Sequence, residues 1–194
     1  GAITAVSSVK LTSMAISEAV DPEALGGGRL HTEGTGMVDL ACDSDEECLD
    51  AVRRFLSYLP SHCNEAPPVH PVPAGSGADQ HRILNILPES RTKVYDVRKI
   101  LGLIYDAGSV FELKPRFGKT IVTALARLDG KTVGIVANNP MFKGGAIDPA
   151  ACDKVASFLV LCDSFNIPVI FMVDQPGFLI GIEGERAGAI GRVM

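Results

Sequence analysis

Residues 120–137 read TIVTALARLDGKTVGIVA, and this stretch decides the fold. Two runs rich in β-branched and apolar residues, 120–128 and 132–137, meet at Asp129-Gly130. An Asp-Gly pair between two such runs is the strongest short hairpin signal, because both residues tolerate the positive φ angles of a tight turn. The sequence therefore predicts two antiparallel strands here.

A long helix and a buried strand are predicted after this hairpin. Asp148 caps the helix, Pro149 opens it, and Asn166 closes it. Its apolar face comprises Ala151, Val155, Phe158, Leu159, Cys162 and Phe165. The continuous apolar run 169–173 predicts a strand covered on both faces, and a further helix begins near Glu183.

Shorter elements are predicted upstream of the hairpin. A short helix begins at Asp21, and residues 36–41 predict a strand. Ser44 starts a capping box, with a glutamate three residues later, for an amphipathic helix that Pro60 ends. These elements belong to a first structural unit.

A linker is predicted between two domains. Residues 61–82 are rich in proline and glycine and have no apolar period, whereas a helix capped by Asp96 and ended by Gly108 follows them. The sequence thus divides into residues 1–60, the linker, and residues 83–194. Helices alternate with a hairpin and a buried strand in the last part, which predicts an α/β layer structure.

Composition excludes several classes of partner. The chain has 194 residues, 46% of them hydrophobic, and a formal net charge of −5, so no basic field would attract a nucleic acid. The longest apolar stretch is interrupted by polar residues and predicts no membrane span. Five cysteines without paired spacing favour reduced thiols, and a zinc site at Cys42, Cys48, His62 and Cys63 is disfavoured. No metal is expected.

Two glycine-containing loops are the candidate reactive sites. All four histidines lie at or before His81, so backbone donors replace a local histidine base in the second part. Gly144-Gly145-Ala146 precedes the long helix, and Pro176-Gly177-Phe178 follows the buried strand. Small residues beside helix N-termini provide the ingredients of an oxyanion hole, although such loops are also common as plain connections.

Asp148 and Asp174 are the acidic residues closest to these loops. Asp148 is interpreted as a helix cap and Asp174 as a strand-end carboxylate that backbone amides bind. A general-base role for either residue is the alternative.

An ordered set of motifs resembles the carboxyltransferase (β) subunit of biotin-dependent acyl-CoA carboxylases, of the propionyl-CoA carboxylase β type. The set covers nearly the whole chain. It comprises EALGG at 23–27, DEEC at 45–48, SYLP at 57–60, NNP at 138–140, GGAID at 144–148, DKVASF at 153–158, CDSFNIPV at 162–169 and VDQPGFL at 173–179.

The resemblance implies a crotonase-like fold of tandem domains, each a spiral of ββα units. Residues 1–60 would be the C-terminal tail of the first, acyl-CoA-binding domain, and residues 83–194 the first half of the second, biotin-binding domain. Gly144, Gly145 and Ala146 would supply oxyanion-loop amides, and Asn139, Pro176, Gly177 and Phe178 would line the substrate or biotin pocket.

The resemblance also implies reaction and partners. The carboxyl group would move from carboxybiotin, carried on a biotin carboxylase or carboxyl carrier partner, to the α carbon of an acyl-CoA, in a hexamer. The chain is expected to be a fragment that is inactive alone, from a cytoplasmic bacterial or a mitochondrial matrix enzyme. Two alternatives remain: the α subunit of a biotin-dependent decarboxylase, and a non-catalytic crotonase-like interaction module.

Overall fold

The computed structural model describes residues 2–90 and 93–193. Its α-helices are α1 (Val9–Ile16), α2 (Pro22–Gly26), α3 (Asp45–Leu56), α4 (Ile83–Ile86), α5 (Val97–Ile104), α6 (Pro149–Ser164), α7 (Ile182–Arg186) and α8 (Ala189–Val193). Its strands are β1 (Phe111–Leu113), β2 (Ile121–Leu128), β3 (Lys131–Asn138) and β4 (Val169–Met172). A π-helical turn lies at Leu30–Gly34, and 3₁₀ turns lie at Gln80–Arg82 and Lys143–Gly145.

The strands of the described part form one four-stranded sheet in the order β1-β2-β3-β4. The predicted hairpin is confirmed: β2 and β3 pair antiparallel, and Asp129 and Gly130 have φ angles of 53° and 76°. Helix α6 then crosses over, so that β4 pairs parallel with β3, with Gly134 opposite Val169. Antiparallel and parallel pairs therefore share one sheet.

Alternation along the hairpin divides the core between the two faces of the sheet. Ile121, Leu125 and Val136 point to one face, where Phe158 and Cys162 of α6 cover them. The opposite face carries a second cluster, in which Val97 and Leu101 of α5 pack with the alternate apolar residues of β2 and β3, such as Ile135. The sheet is thus the central layer between α5 and α6.

The predicted caps form as expected. Asp148 accepts a hydrogen bond from the Ala151 amide at 2.9 Å, and Ser44 accepts one from the Glu47 amide at 3.1 Å. The carboxylate of Glu47 turns back to the Asp43 amide at 2.8 Å, one residue earlier than in an ideal capping box.

Residues 36–41 are not a strand, which corrects the prediction. Gly36 has a φ of 64°, outside the β region. Its backbone bonds are isolated: the Lys114 amide donates to the Asp39 carbonyl at 3.1 Å, and the Val38 amide donates to the His31 carbonyl at 3.2 Å. A run with β propensity forms a strand only where a neighbouring strand accepts its ladder, and no such ladder is available here among the described residues.

Strand β4 also differs from its prediction, because among the described residues it lies at the edge of the sheet and is not covered on both faces. The side chain of Phe171 is 56% exposed. The apolar run 169–173 correctly predicted a strand, but apolarity alone did not show what covers it. Helix α5 likewise ends at Ile104 rather than at Gly108, because Tyr105 adopts an extended conformation with a ψ of 164°.

The linker segment packs against the hairpin turn. The His70 amide donates to the Gly130 carbonyl at 2.9 Å, and Val69 forms an isolated bridge with Lys131. A Cβ atom at Gly130 would overlap the backbone carbonyl oxygen of His70. The turn therefore needs glycine for its φ angle and for this close approach.

Replacing Gly130 with alanine is expected to lower the free energy of unfolding by about 2 kcal/mol or more. The added Cβ would displace the backbone at His70 and strain the turn. Chemical denaturation measures the change. Gly77→Ala is the matched control: Gly77 has a φ of 73° but meets only the flexible side chain of Gln80. Equal losses for the two variants would contradict a role for the His70 contact.

Candidate active site

Two loops lie together at the carboxyl-terminal ends of strands β3 and β4. Because β3 and β4 are parallel neighbours, the loops that follow them emerge at the same edge. The Ile147 amide donates to the Gly177 carbonyl at 3.1 Å, and the Leu179 amide donates to the Ile147 carbonyl at 2.8 Å. The structure thus joins the two loops that the sequence singled out separately.

The first loop contains a strained turn. Lys143, Gly144 and Gly145 have φ angles of 48°, 62° and 82°, in the left-handed region that favours glycine. The Gly145 amide donates to the Phe142 carbonyl at 2.9 Å, and the Ala146 amide donates to the Lys143 carbonyl at 3.2 Å. Two of the three predicted oxyanion donors are therefore used by the turn itself.

The paired asparagines at the end of β3 have different surroundings. Asn139, a predicted pocket residue, is fully buried, and its Oδ1 accepts from the Met141 amide at 3.3 Å. Its neighbour Asn138 lines the cavity beside the loops. Alternation explains the difference, because Asn138 follows Val136 on the α6 face of the strand.

Asn138 contacts both loops through its side-chain amide. Its Nδ2 donates to the Gly145 carbonyl at 3.1 Å, and its Oδ1 accepts from the Asp174 amide at 3.4 Å. A Cβ atom at Gly145 would lie 3.1 Å from the Asp174 carbonyl oxygen. The loops consequently approach each other closely at this point, and Asn138 is the residue there that sequence reasoning had not assigned to the site.

The two acidic residues have defined partners. Asp148 caps α6 and also accepts from Lys143 Nζ at 2.8 Å. Asp174 Oδ2 accepts from the Tyr95 hydroxyl at 2.7 Å. Burial, followed by this hydrogen bond and the negative charge of Asp174, raises the pKa of Tyr95 to about 12, so the phenol stays protonated. The Asp174 carboxylate is thus held by a phenol where the sequence interpretation had assigned backbone amides, and the Asp174 backbone is held by Asn138.

A mostly apolar cavity of about 490 Å³ opens beside the joined loops. Its apolar wall comes from the sheet, from α6 and from Phe178, and its polar lining comes from Asn138, Gln175 and Arg192. Of the predicted pocket residues 176–178, Phe178 lines this cavity, while Gly177 supports it through its bond to Ile147. Pro176 lies in the same loop and is exposed.

Helix α6 is fixed to the sheet by a buried lysine that the sequence analysis did not identify. Lys154 is 1% exposed, and its Nζ donates to the carbonyls of Phe117 at 3.1 Å and Ile121 at 2.8 Å. Desolvation lowers the pKa of Lys154 to about 8. Helical periodicity could have indicated its burial, because Lys154 lies three residues after Ala151 and four before Phe158, on the same buried helix face.

Residues 2–90 and 93–193 contain neither a cluster of metal ligands nor a membrane-spanning helix. No group of three His, Cys, Asp or Glu side chains in these residues is placed to hold a metal ion. None of the helices described there has the length and apolarity to cross a bilayer. All five cysteines are free thiols.

Comparison with known structures defines the class of fold. Transcarboxylase 12S, a hexamer solved with hydrolysed methylmalonyl-coenzyme A bound, superposes with a TM-score of 0.90 at 33% identity over 98% of this chain and 38% of that one. A single-chain, multi-domain long-chain acyl-CoA carboxylase superposes with a TM-score of 0.82 at 32% identity, covering 97% of this chain and 18% of that one. The fold is therefore α/β and crotonase-like, as the resemblance implied.

Sequence comparison gives the family. The carboxyl transferase domain family matches residues 3–193, and the chain belongs to that family. The carboxyltransferase subunit of propionyl-CoA carboxylase from Haloferax mediterranei is 42% identical over 89% of this chain and 34% of its own length. Methylmalonyl-CoA decarboxylase subunit alpha from Propionigenium modestum is 36% identical over 89% of this chain and 34% of its own length. The chain thus spans about a third of the length of these relatives.

Proposed function

We propose that this chain is part of the carboxyltransferase component of a biotin-dependent acyl-CoA carboxylase. The observation that carries the proposal is the pair of hydrogen-bonded, glycine-containing loops beside the 490 Å³ cavity. Carboxybiotin, brought by a partner, would supply CO2 and a ureido base for the α proton of the thioester. This chain would then need to bind the acyl-CoA acceptor and the biotin ring, and to stabilise the negative charge that develops on them.

The loops are suited to that electrostatic task. A thioester enolate and a ureido anion both carry negative oxygen, and each well-placed amide donor in a water-poor site contributes about 3 kcal/mol to its stabilisation. Gly144, Gly145 and Ala146 are the proposed donors. Because the turn uses the amides of Gly145 and Ala146, the exposed Gly144 is the donor that needs the least rearrangement. Phe178 would cover the apolar side of a bound ring.

The proposed partners follow from the same reading. They are an acyl-CoA, a biotin carboxylase with its biotin carboxyl carrier, and further copies of the full-length subunit in a hexamer.

We further propose that residues 1–60 and 83–194 belong to two domains joined by residues 61–82, in a cytoplasmic or mitochondrial matrix enzyme. Limited proteolysis that cuts first within 61–82 would support this division, whereas first cuts within α6 would contradict it.

A decarboxylase is the second candidate, favoured by the Propionigenium modestum relative. The two candidates share the local chemistry and differ in their partners. The deciding experiment is an assay of the full-length protein with a biotinylated carrier in both directions, across acetyl-, propionyl- and longer acyl-CoA. Absence of transfer in both directions would favour the third interpretation, a non-catalytic interaction module. The 194-residue chain alone is proposed to be inactive.

Gly177→Val in the full-length enzyme is expected to lower carboxyl transfer at least about tenfold. Gly177 has a φ of 146°, which valine strains, and its carbonyl holds Ile147 of the other loop. A Cβ atom at Gly177 meets open space, so most of the fold should persist. Gly75→Val is the matched control, because Gly75 has a φ of 84° and equal space. Unchanged turnover in Gly177→Val would remove this loop from the site.

A further inference from the structure

We propose that Asn138 is a positioning residue that sets the separation of the two loops, an inference that rests on the proposed function. It is 6% exposed and ends β3, opposite the first residue of β2, Ile121. The backbone of Asn138 is therefore fixed by the sheet. Its side chain extends from this rigid position to the point where the loops approach each other.

The side-chain amide of Asn138 matches two different needs. The Gly145 carbonyl requires a donor, and Nδ2 provides it at 3.1 Å, while the Asp174 amide requires an acceptor, and Oδ1 provides it at 3.4 Å. Among the side chains of this length, only asparagine presents one donor group and one acceptor group in a fixed plane. Aspartate would keep the acceptor but would place a carboxylate oxygen against the Gly145 carbonyl.

The Asn138 contacts form the inner of two connections between the loops. The outer connection consists of the backbone bonds of Ile147 to Gly177 and Leu179. Tyr95 holds Asp174 from the other side, through the bond of its hydroxyl to the carboxylate. With the outer connection alone, the loops could pivot about Ile147, and the Gly145 turn would move relative to Asp174.

This arrangement explains why Gly145 must be glycine at the inner connection. Its hypothetical Cβ would lie 3.1 Å from the Asp174 carbonyl oxygen and 3.7 Å from Asn138 Cβ. Asn138, Gly145 and Asp174 therefore form one packed unit. Moving any one of them shifts the adjacent Gly144 amide, for which a displacement of about 1 Å can reduce a rate about a hundredfold.

Amide hydrogen exchange of the full-length protein tests this inference without reference to activity. In Asn138→Ala, exchange should rise at least about tenfold in both loops, 143–147 and 174–179, because both contacts are lost. In Asn138→Asp, exchange should rise in 143–147 only, because the Asp174 amide keeps its acceptor. Equal exchange in the wild type and both variants would overturn the proposal, as would identical behaviour of the two variants.

Kinetics of the same proteins separate positioning from general stability. Asn138→Ala should lower kcat for carboxyl transfer at least about tenfold while the KM for acyl-CoA changes less than about threefold. Thr132→Val is the matched control, since Thr132 is buried in the same strand and its hydroxyl has no hydrogen-bond partner in the structure. An unchanged kcat in Asn138→Ala would overturn the inference. So would a Thr132→Val control that lost as much kcat as Asn138→Ala at an equal fall in thermal stability. A wild type without any transfer would instead refute the proposed function and leave the exchange test intact.

Discussion

Gly145→Val in the full-length enzyme is expected to lower carboxyl transfer about a hundredfold or more, because it displaces the neighbouring Gly144 amide, the proposed oxyanion donor. Gly145 is buried and has a φ of 82°, so valine strains the turn. Its side chain would also meet the Asp174 carbonyl, which lies 3.1 Å from the first added atom. The two loops would be forced apart at the inner connection.

Gly108→Val is the matched control for this experiment. Gly108 has a φ of 71° but is exposed, with nothing within 4 Å of an added Cβ. It therefore carries the backbone strain without the contact between loops. Circular dichroism and the oligomeric state of both variants should match the wild type. If Gly145→Val retained more than a tenth of the wild-type turnover, the first loop would not contribute to the reaction.

The stability of the wild type relative to Lys154→Met is expected to rise by about 3 kcal/mol as the pH increases from 8 to 10.5, since each unit of pKa shift corresponds to about 1.4 kcal/mol. Burial lowers the pKa of Lys154 from 10.5 to about 8 in the folded protein. Between these values the folded state has released the proton and the unfolded state has not. Stability therefore increases with pH, and the cost of burying the charge is fully present below pH 8.

Urea denaturation at intervals between pH 7 and about pH 10.5 measures this difference. Lys99→Met serves as the control, because Lys99 is exposed on α5 and its curve should run parallel to that of the wild type. The Lys154→Met variant also leaves the carbonyls of Phe117 and Ile121 without their donor, which lowers its stability at every pH. A constant difference between wild type and Lys154→Met would show that the amine keeps its proton throughout.

The elements predicted correctly are those whose signals are local. The Asp129-Gly130 turn and the Asp148 cap each depend on neighbours within a few residues, and both form as the sequence indicates. Strand β1 was not predicted, because three residues carry no period. It exists through its pairing with β2, in which Phe111 lies opposite Leu125. Residues 36–41 show the converse, a favourable run without a partner strand.

In the candidate site, too, local features were predicted from the sequence and contacts between distant residues were not. Glycines before a capped helix and after an apolar strand indicated both loops, but not that Ile147 would join them. The resemblance assigned Asn139 to the pocket, whereas in the structure Asn138 lines the cavity, on the same face of β3 as Val136. Lys154 was overlooked because a charged residue is normally assigned to solvent, and only its two carbonyl acceptors make its burial tolerable.

The crossover through α6 makes the loops the least local part of the sheet. The strands of the hairpin are separated by a two-residue turn, whereas β4 reaches β3 only after the whole of α6 has been placed. Within the sheet, loop-closure entropy is therefore greatest for the pairing of β4 with β3, which brings Gly177 to Ile147. Detachment of edge strand β4 would separate the loops while the hairpin remained paired. Since β4 is the outermost strand among the described residues, we expect local unfolding there to cost less free energy than global unfolding and to separate the two loops.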